Sequence, residues 1–326
     1  MDRQRRALRA GAWSVTLALC LRLWCNGAPQ QLLSWLRQPQ TVAALVYLET
    51  GKVFLPPATA PPTESPATEP TEAPTEPPAA LPVFSPEDAA LVYVRDTSGN
   101  TADLEALLTA DLTWDLTESG PRVLIYHTHA TESYTQTAGH TYAESADFRT
   151  LDTEYNLVSI GSRLEALLTE AGLGVIHDET LHDYPSYDGG YDNSRHTLQT
   201  ILDANSTLQL CLDLHRDAAV DAYGNQFTTS ALVGDRESAR ILFVVGTDHP
   251  NWHQNMALAV KLTALLERMY PGVTRGIITR TFDFNQDLSA GGLLVEVGAA
   301  GDTQEKALVA VEALSQAIIA LAKGCA

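Results

Sequence analysis

Short apolar runs alternate with helical patterns over most of the second half of the chain. Val123–Tyr126 is an apolar run of strand length, and residues 155–171 carry leucine and isoleucine at helical spacing up to Gly172. The alternation continues to the C-terminus, with strands predicted at 173–176, 208–214, 230–233, 241–245, 277–282 and 293–297, and helices at 191–204, 251–269 and 303–322. This order predicts an α/β fold of three layers, in which helices flank a mainly parallel or mixed sheet.

The first 120 residues divide into four segments of different composition. Residues 1–27 combine four arginines within the first nine residues with a short apolar run broken by Arg22, which is typical of a signal sequence or of an uncleaved membrane anchor whose positive end stays inside. Residues 28–55 follow as a juxtamembrane segment. Residues 56–82 are rich in proline, threonine and glutamate, so this linker is expected to be disordered and extended, with a reach on the order of 80 Å. Residues 83–120 form an edge segment with a plausible strand at 90–94 and a plausible helix at 101–108.

This organisation predicts a single-pass protein of the cell membrane whose catalytic domain, residues 121–326, lies outside the cytoplasm. Two plainer interpretations stay open. The apolar run can be a cleaved signal peptide, because a bilayer span needs about 20 apolar residues. The linker can be a spacer without any requirement for reach.

Charge and cysteine content exclude several classes of protein. The formal net charge is −19, and arginine clusters only at the extreme N-terminus, so nucleic-acid binding is not expected. The four cysteines are scattered along the chain and suggest no disulfide framework. The chain also lacks a Gly-x-Ser-x-Gly elbow and a CxxC pair, which leaves serine hydrolase and thiol redox chemistry without support.

Imidazoles and carboxylates recur where the predicted strands end. His127 and His129 follow the first strand with Glu132 close behind, His215 ends a later strand, and Glu296 lies in the last one. Ligands of α/β proteins collect at the carboxyl ends of strands, so we expect these groups to converge. Because alternate residues of an extended strand share a face, His127 and His129 are predicted to project together.

The chemistry of these groups suits a zinc hydrolase. Catalytic zinc takes three protein ligands, typically histidine and carboxylate, and keeps a fourth position for a water whose pKa falls to about 7. His129, Glu132 and His215 form the natural ligand set. Glu296 is the natural general base, because apolar neighbours raise the pKa of a carboxyl group.

Each of these side chains also has a structural interpretation. The paired histidines can be satisfied by backbone groups, and His215 can belong to a surface ion-pair network. Glu296 can be a buried carboxylate neutralised by Arg216 or Arg280. For Arg216 itself we favour an ion pair with Asp217 over a role at an oxyanion.

Four blocks between residues 122 and 306 resemble the stage II sporulation protein P family of endospore-forming bacteria. The blocks are Ile125-Tyr126-His127-Thr128-His129 with Glu132-Ser133-Tyr134; Asp213-Leu214-His215-Arg216-Asp217-Ala218; Val245-Gly246-Thr247-Asp248-His249-Pro250-Asn251-Trp252 with Asn255; and Asn285-Gln286-Asp287-Leu288-Ser289 followed by Leu294-Val295-Glu296-Val297-Gly298. Their order along the chain is far more specific than any single block. The N-terminal anchor and the acidic, proline-rich linker fit the same family.

The resemblance implies a membrane-anchored peptidoglycan hydrolase with a fold similar to that of the zinc N-acetylmuramoyl-L-alanine amidases. Such an enzyme cleaves the amide that joins the stem peptide to muramic acid. Members of the family are also regarded as endopeptidases on cross-linked stem peptides, acting with a partner, stage II sporulation protein D, during engulfment of the forespore. The cofactor so implied is Zn²⁺ and the substrate is peptidoglycan.

The resemblance leaves the identity of two ligands open. In the zinc amidases a short Asp-Pro-Gly segment separates the strand from the first ligand. Alignment of that segment with Tyr126-His127-Thr128 makes His129 the metal ligand, and His127 would then contact a ligand and not the metal. Those amidases take their acidic ligand from the start of the first helix, where this chain has Glu154. We favour Glu132, because three residues of chain let it reach the same ion without a long loop closure.

Two further functions are compatible with the sequence. The domain can be a non-catalytic scaffold that binds peptidoglycan for a partner hydrolase, or a zinc peptidase that acts on free peptides. A ligand set complete with a base argues against the scaffold, since a pure binder has no use for Glu296.

Overall fold

A seven-stranded sheet lies at the centre of the computed structural model, which describes residues 84–112, 115–220 and 223–324. Its strands are β1 (Val94–Asp96), β2 (Val123–Tyr126), β3 (Val175–His177), β4 (Leu210–Asp217), β7 (Ile241–Gly246), β8 (Thr274–Arg280) and β9 (Gly292–Ala299), while β5 (Ala231–Val233) and β6 (Arg236–Ser238) form a separate hairpin. The α-helices are α1 (Leu104–Thr109), α2 (Leu157–Glu170), α3 (Gly190–Ala204), α4 (Trp252–Met269) and α5 (Gln304–Gly324). Short 3-10 helices lie at Pro86–Leu91, Tyr187–Gly189 and Gln286–Leu288.

The sheet consists of two parallel blocks that run in opposite directions. Its spatial order is β1-β8-β7-β9-β4-β2-β3, and every neighbouring pair is parallel except β7 and β9. The prediction of a mainly parallel or mixed sheet flanked by helices is therefore confirmed. Because β2, β4 and β9 belong to the same block, their carboxyl ends lie at the same edge.

The pleat of β2 assigns alternate residues to two helix layers. Val123 and Ile125 join the main core, to which α2, α4 and α5 contribute. Leu124 and Tyr126 point to the other face and pack with Leu198 of α3. The sheet thus lies between α3 on one side and α2, α4 and α5 on the other.

The same pleat places three polar residues on the α3 face. Leu214 of β4 and Val295 of β9 pack in the main core. Asp213, His215 and Glu296 occupy the alternate positions and therefore project toward α3. His215 and Glu296 are direct neighbours in the parallel register of β4 and β9.

The edge segment differs in part from its predicted structure. The strand predicted at 90–94 is wrong, because Pro86–Leu91 forms a 3-10 helix and β1 begins only after it. Ser85 starts this helix in a capping box in which its backbone N–H donates to Asp88 at 2.7 Å. The predicted helix is present as α1, and β1 pairs with β8 at one end of the sheet.

One helix in the described part of the chain, α5, is long and apolar enough to cross a membrane. It packs inside the domain instead, and Val311, Leu314 and Ile318 are buried in the main core. The predicted anchor at 1–27, the juxtamembrane segment at 28–55 and the linker at 56–82 lie outside the described residues and stay predictions.

Candidate metal centre

A turn after β2 brings His129 and Glu132 to the same side of the chain. The backbone N–H of Glu132 donates to the carbonyl of His129 at 3.1 Å, which closes a four-residue turn. The carbonyl of Glu132 accepts from the N–H of Leu157 at 2.9 Å, so the turn is fixed to the start of α2. His215 reaches the same region from β4, the strand that pairs with β2.

The three side chains predicted as ligands converge. Nδ1 of His129 lies 3.8 Å from Oε1 of Glu132, and Nδ1 of His215 lies 3.8 Å from Oε2 of the same carboxylate. One ligand atom from each residue fits within 4.8 Å of the others, and all three residues are buried. We call His129, Glu132 and His215 the ligand cluster. Glu154, the alternative acidic ligand, is exposed and outside it.

Two arginines hold Glu132 in its ionised form. Nη2 of Arg149 lies 3.2 Å from Oε1, and Nη1 of Arg216 lies 3.5 Å from the same oxygen. The backbone N–H of Arg216 donates to Oε2 at 3.4 Å. Burial opposes ionisation, but the positive charges around Glu132, Arg216 first among them, outweigh it and lower the pKa of the carboxyl group. The carboxylate is therefore available as a ligand at neutral pH.

Aromatic rings and a glycine enclose His129. Its ring stacks on Tyr187 with the centroids 4.2 Å apart and meets Tyr191 edge-on at 5.4 Å. A Cβ at Gly190 would lie 3.4 Å from Nε2, so this nitrogen is turned toward α3 while Nδ1 faces Glu132. Burial lowers the pKa of His129 to about 4, which keeps the imidazole in the neutral form that binds metals.

Two carboxylates flank the ring of His215. Nε2 lies 3.0 Å from Oδ1 of Asp213, and Nδ1 faces Glu132. Burial disfavours the imidazolium, but the charge of Asp213 and the contact with it outweigh burial and raise the pKa of His215 to about 9. A cation that binds here must displace a proton from His215, so binding is expected to release a proton.

Glu296 lies beside the ligand cluster without a partner of its own. It is the register neighbour of His215 in β4 and of Leu242 in β7. Its Oε2 is buried and accepts no hydrogen bond from any described residue. Arg216, proposed from the sequence as a neutralising partner, pairs with Glu132 instead. Burial, with the nearby acidic groups, raises the pKa of Glu296 to about 8, as a general base requires.

In protein freed of metal by a chelator, Glu296→Gln should be more stable than the parent at alkaline pH. The folded-state pKa of Glu296 is about 8, above its ordinary value of 4.5. The contribution of Glu296 to the stability of the parent is therefore complete below pH 4.5 and is lost as the pH rises through about 8. The Gln variant lacks this decline. We expect a difference on the order of 2 kcal/mol above the upper value, because the partly exposed carboxylate escapes some of the cost. Urea unfolding below and above this window measures it, and a difference independent of pH would contradict the raised pKa.

His127 does not project together with His129, contrary to the prediction. β2 ends at Tyr126 and the chain turns, so only His127 continues the pleat onto the α2 face. Its Nε2 lies 2.9 Å from Nε2 of His177, and its Nδ1 lies 3.3 Å from the carbonyl of Leu214. The ring is engaged there and lies outside the ligand cluster.

Gly161 of α2 leaves room for this histidine pair. A Cβ at Gly161 would lie 2.4 Å from Nε2 of His177 and 2.6 Å from Nε2 of His127. Gly161→Ala should therefore destabilise the fold by about 1–3 kcal/mol, although alanine is the better helix former. Denaturant unfolding measures the effect. Gly139→Ala is the control, since a Cβ there meets nothing within 4 Å, and equal destabilisation by both variants would contradict this packing.

Arg216 and Asp217 do not pair with each other, so that prediction is wrong. Nε of Arg216 donates to the carbonyl of Ser133 at 3.0 Å, and its guanidinium reaches Glu132. Asp217 pairs with Arg275 at 2.7 Å. Arg216 therefore contacts the ligand cluster through Glu132.

Three residues that support the ligand cluster carried no signal in the sequence. Arg149 pairs with Asp183 at 2.9 Å, and its guanidinium lies over the ring of Tyr187 at 4.2 Å. Asp183 accepts from the N–H of Thr131 at 3.1 Å, inside the turn that carries two ligands. All three lie in loops or a short 3-10 helix, and tertiary contacts alone bring them to the site. Asp213 is different, because its place two residues before His215 puts it on the same face of β4.

The donor set fits zinc. Two imidazole nitrogens and a carboxylate oxygen are usual ligands of catalytic zinc, and three protein ligands leave a fourth position for water. The ligand atoms are buried and close enough to share one ion, and the buried Oε2 of Glu296 has no partner among the described residues. The arrangement can hold a divalent cation beside an unpaired carboxylate.

Comparison with known proteins finds relatives at two levels of similarity. Stage II sporulation protein P of Bacillus subtilis (strain 168) is 31% identical over 198 residues, which are 56% of this chain and 47% of that protein. The chain thus spans about half the length of this relative. Among solved structures, N-acetylmuramoyl-L-alanine amidase AmiC2 of Nostoc punctiforme is 14% identical over 64% of this chain and 97% of its own, with a TM-score of 0.37. The CwlD amidase from Clostridioides difficile, in complex with the GerS lipoprotein, is 13% identical over 62% of this chain and 95% of its own, with a TM-score of 0.36. A structural likeness of this degree assigns no activity.

A family model gives the more extensive match. The model described as Stage II sporulation protein P (SpoIIP) matches residues 60–319. This range covers most of the chain and contains the ligand cluster and Glu296. The chain therefore belongs to the stage II sporulation protein P family.

Proposed function

We propose that this protein is a peptidoglycan hydrolase of sporulation, and that it acts as a zinc-dependent N-acetylmuramoyl-L-alanine amidase. Membership of the family supports the role in sporulation, because the matching relative bears the name of a sporulation protein. The sequence resemblance to the family supplies the proposed substrate, the amide between muramic acid and the stem peptide. Cleavage of cross-linked stem peptides by the same site is part of the proposal.

The observation that carries this proposal is the pairing of the ligand cluster with Glu296. A purely structural metal site is closed by its ligands and has no use for an extra unpaired carboxylate. A buried carboxylate oxygen without a hydrogen-bond partner costs stability, so its retention in Glu296 favours a chemical role. Hydrolysis of an amide requires such a group to take and return a proton.

In the proposed reaction Glu296 transfers the proton, and two arginines keep a metal ligand ionised. Bound zinc would supply a polarised carbonyl and a water of lowered pKa. Glu296 accepts the proton of the attacking water and delivers it to the nitrogen of the leaving amine, which is the task of a general base. Arg149 and Arg216 keep Glu132 ionised throughout.

The predicted anchor and linker would locate this activity at the outer face of the cell membrane. Residues 1–27 would hold the protein in the membrane, and residues 56–82 would let the domain reach wall polymer from the extracytoplasmic side. Stage II sporulation protein D is proposed as a partner on the basis of the family resemblance alone.

Digestion of defined cross-linked muropeptides by the purified full chain with Zn²⁺, followed by mass spectrometry, tests the proposal. Release of intact stem peptide from the glycan is the expected result. New amino termini on stem peptides would add the endopeptidase activity, and such termini without any released stem peptide would overturn the amidase. Binding of sacculi without any product would overturn the enzyme and support the scaffold.

A further inference from the structure

Asp213 lies directly behind His215 and takes no part in the proposed reaction. It is 1% exposed, and its Oδ1 is 3.0 Å from Nε2 of His215. The N–H of His215 is too poorly aligned with that oxygen for a good hydrogen bond, and no other described residue offers Nε2 a partner. The carboxylate is thus the group that faces this nitrogen, on the side of the ring away from Glu132.

Asp213 also fixes the segment that carries the other histidine. The backbone N–H of Thr128 donates to Oδ1 at 2.8 Å, and the Thr128 hydroxyl donates to Oδ2 at 2.6 Å. Thr128 directly precedes His129 in the chain. The carboxylate of Asp213 therefore contacts both segments that carry the histidines of the ligand cluster.

A chain of buried hydrogen bonds extends behind Asp213. Thr128 Oγ lies 2.8 Å from Oγ of Ser194 in α3, which accepts from Nδ2 of Asn285 at 3.1 Å. The Thr128 hydroxyl donates its proton to Asp213, so it can only accept from Ser194, whose hydroxyl also lies 3.2 Å from the carbonyl of Tyr191. Asn285 has a φ of 59°, in the left-handed region that asparagine tolerates better than most residues. Its motif, which the proposed reaction leaves without a role, thereby connects to the ligand cluster.

We infer that Asp213 is a positioning residue for the metal: its carboxylate, 3.0 Å from Nε2 of His215, favours a proton on that nitrogen and so leaves the lone pair of Nδ1 directed at the ion. Carboxylates that hold the far nitrogen of a metal-binding histidine fix its tautomer and orientation, and their loss costs about 10–100-fold in metal affinity. This inference rests on the metal site of the proposed function. Asp213 touches neither substrate nor ion, so its effect passes through His215.

Asp302 offers a matched control elsewhere in the domain. It is 2% exposed, and it accepts from the N–H and the hydroxyl of Thr229, both at 2.7 Å. Asp302 therefore makes the same pair of bonds to a threonine as Asp213 does, but it contacts no member of the ligand cluster. Removal of its charge reports the structural cost of losing such a carboxylate.

The test measures the affinity of the full chain for Zn²⁺ by competition with a chromophoric chelator, together with thermal unfolding of the chelator-treated protein. We expect Asp213→Asn and Asp213→Ala to bind Zn²⁺ about 10–100-fold more weakly than the parent, with Asn the milder change, while Asp302→Asn keeps the affinity of the parent. Asp213→Asn and Asp302→Asn should lower the unfolding temperature to a similar extent. In the zinc-loaded parent, ring ¹⁵N chemical shifts should place the proton of His215 on Nε2.

Three results would overturn the inference. Parent-like affinity in a folded Asp213→Asn variant would show that the carboxylate does not position His215. Equal loss of affinity in Asp213→Asn and Asp302→Asn would assign the effect to general destabilisation. A ring proton on Nδ1 would give His215 the opposite orientation. Failure of the parent to bind Zn²⁺ at all is a separate outcome that removes the proposed metal function together with this inference.

Discussion

Glu296→Gln should lower the rate of muropeptide hydrolysis by about 10²–10⁴-fold, which is what a positioned general base contributes. Glutamine keeps the size of the side chain but cannot accept the proton of the attacking water. The buried Oε2 of Glu296 accepts no hydrogen bond from any described residue, so the substitution breaks none at that oxygen. The loss is expected in kcat, since the base acts only as the reaction proceeds.

Two measurements separate loss of the base from loss of the site. Zinc content, determined by atomic emission on the purified variant, should equal that of the parent, and the circular dichroism spectrum should be unchanged. Glu237→Gln, at an exposed position of β6, controls for the loss of one negative charge and should hydrolyse at the parental rate. If Glu296→Gln digests sacculi as fast as the parent, Glu296 is not the base.

His215→Ala and Glu132→Gln should each abolish stoichiometric zinc binding and reduce hydrolysis by more than 100-fold. Loss of groups that merely support a ligand already costs about 10–100-fold in affinity or activity, and loss of a ligand should exceed that. Glu132→Gln has a second effect, because it leaves the buried cation of Arg216 beside a neutral side chain. A destabilisation of a few kcal/mol is expected from that imbalance.

The controls for these two variants also decide between the alternative ligands. Glu154→Gln changes the other candidate carboxylate, which is exposed, and should keep both zinc and activity. His196→Ala removes an exposed imidazole from α3 and should behave in the same way. Full zinc occupancy in His215→Ala, or its loss in Glu154→Gln, would contradict the ligand cluster.

The strands and the long helices could be predicted from the sequence because their apolar spacing is local. β2, β4 and β9 were each visible as an apolar run that ends in polar chemistry. The direction of β7 could not be predicted, since its antiparallel pairing with β9 depends on connections between distant segments. The short strand in the edge segment was misplaced because the capping box at Ser85 and Asp88 overrides the apolar residues that follow.

The candidate site could be predicted only as far as the chain supplies its groups within elements. His215 and Glu296 followed from strand periodicity, and the structure makes them register neighbours. The divergence of His127 and His129 was missed because the prediction applied strand geometry to residues 127–129, although the chain turns there. Arg149 was missed because the loop that carries it contacts Glu132 only in the folded chain, and its charge in the sequence looks like that of any surface arginine.

The antiparallel strand β7 places an aliphatic side chain next to Glu296, the proposed base. Leu242, near the beginning of β7, is the register neighbour of Glu296 on the side opposite His215. A polar residue introduced at position 242 would hydrate or hydrogen-bond the acid without replacing any group that grips the cation. The optimum pH of catalysis could in this way be engineered independently of metal loading.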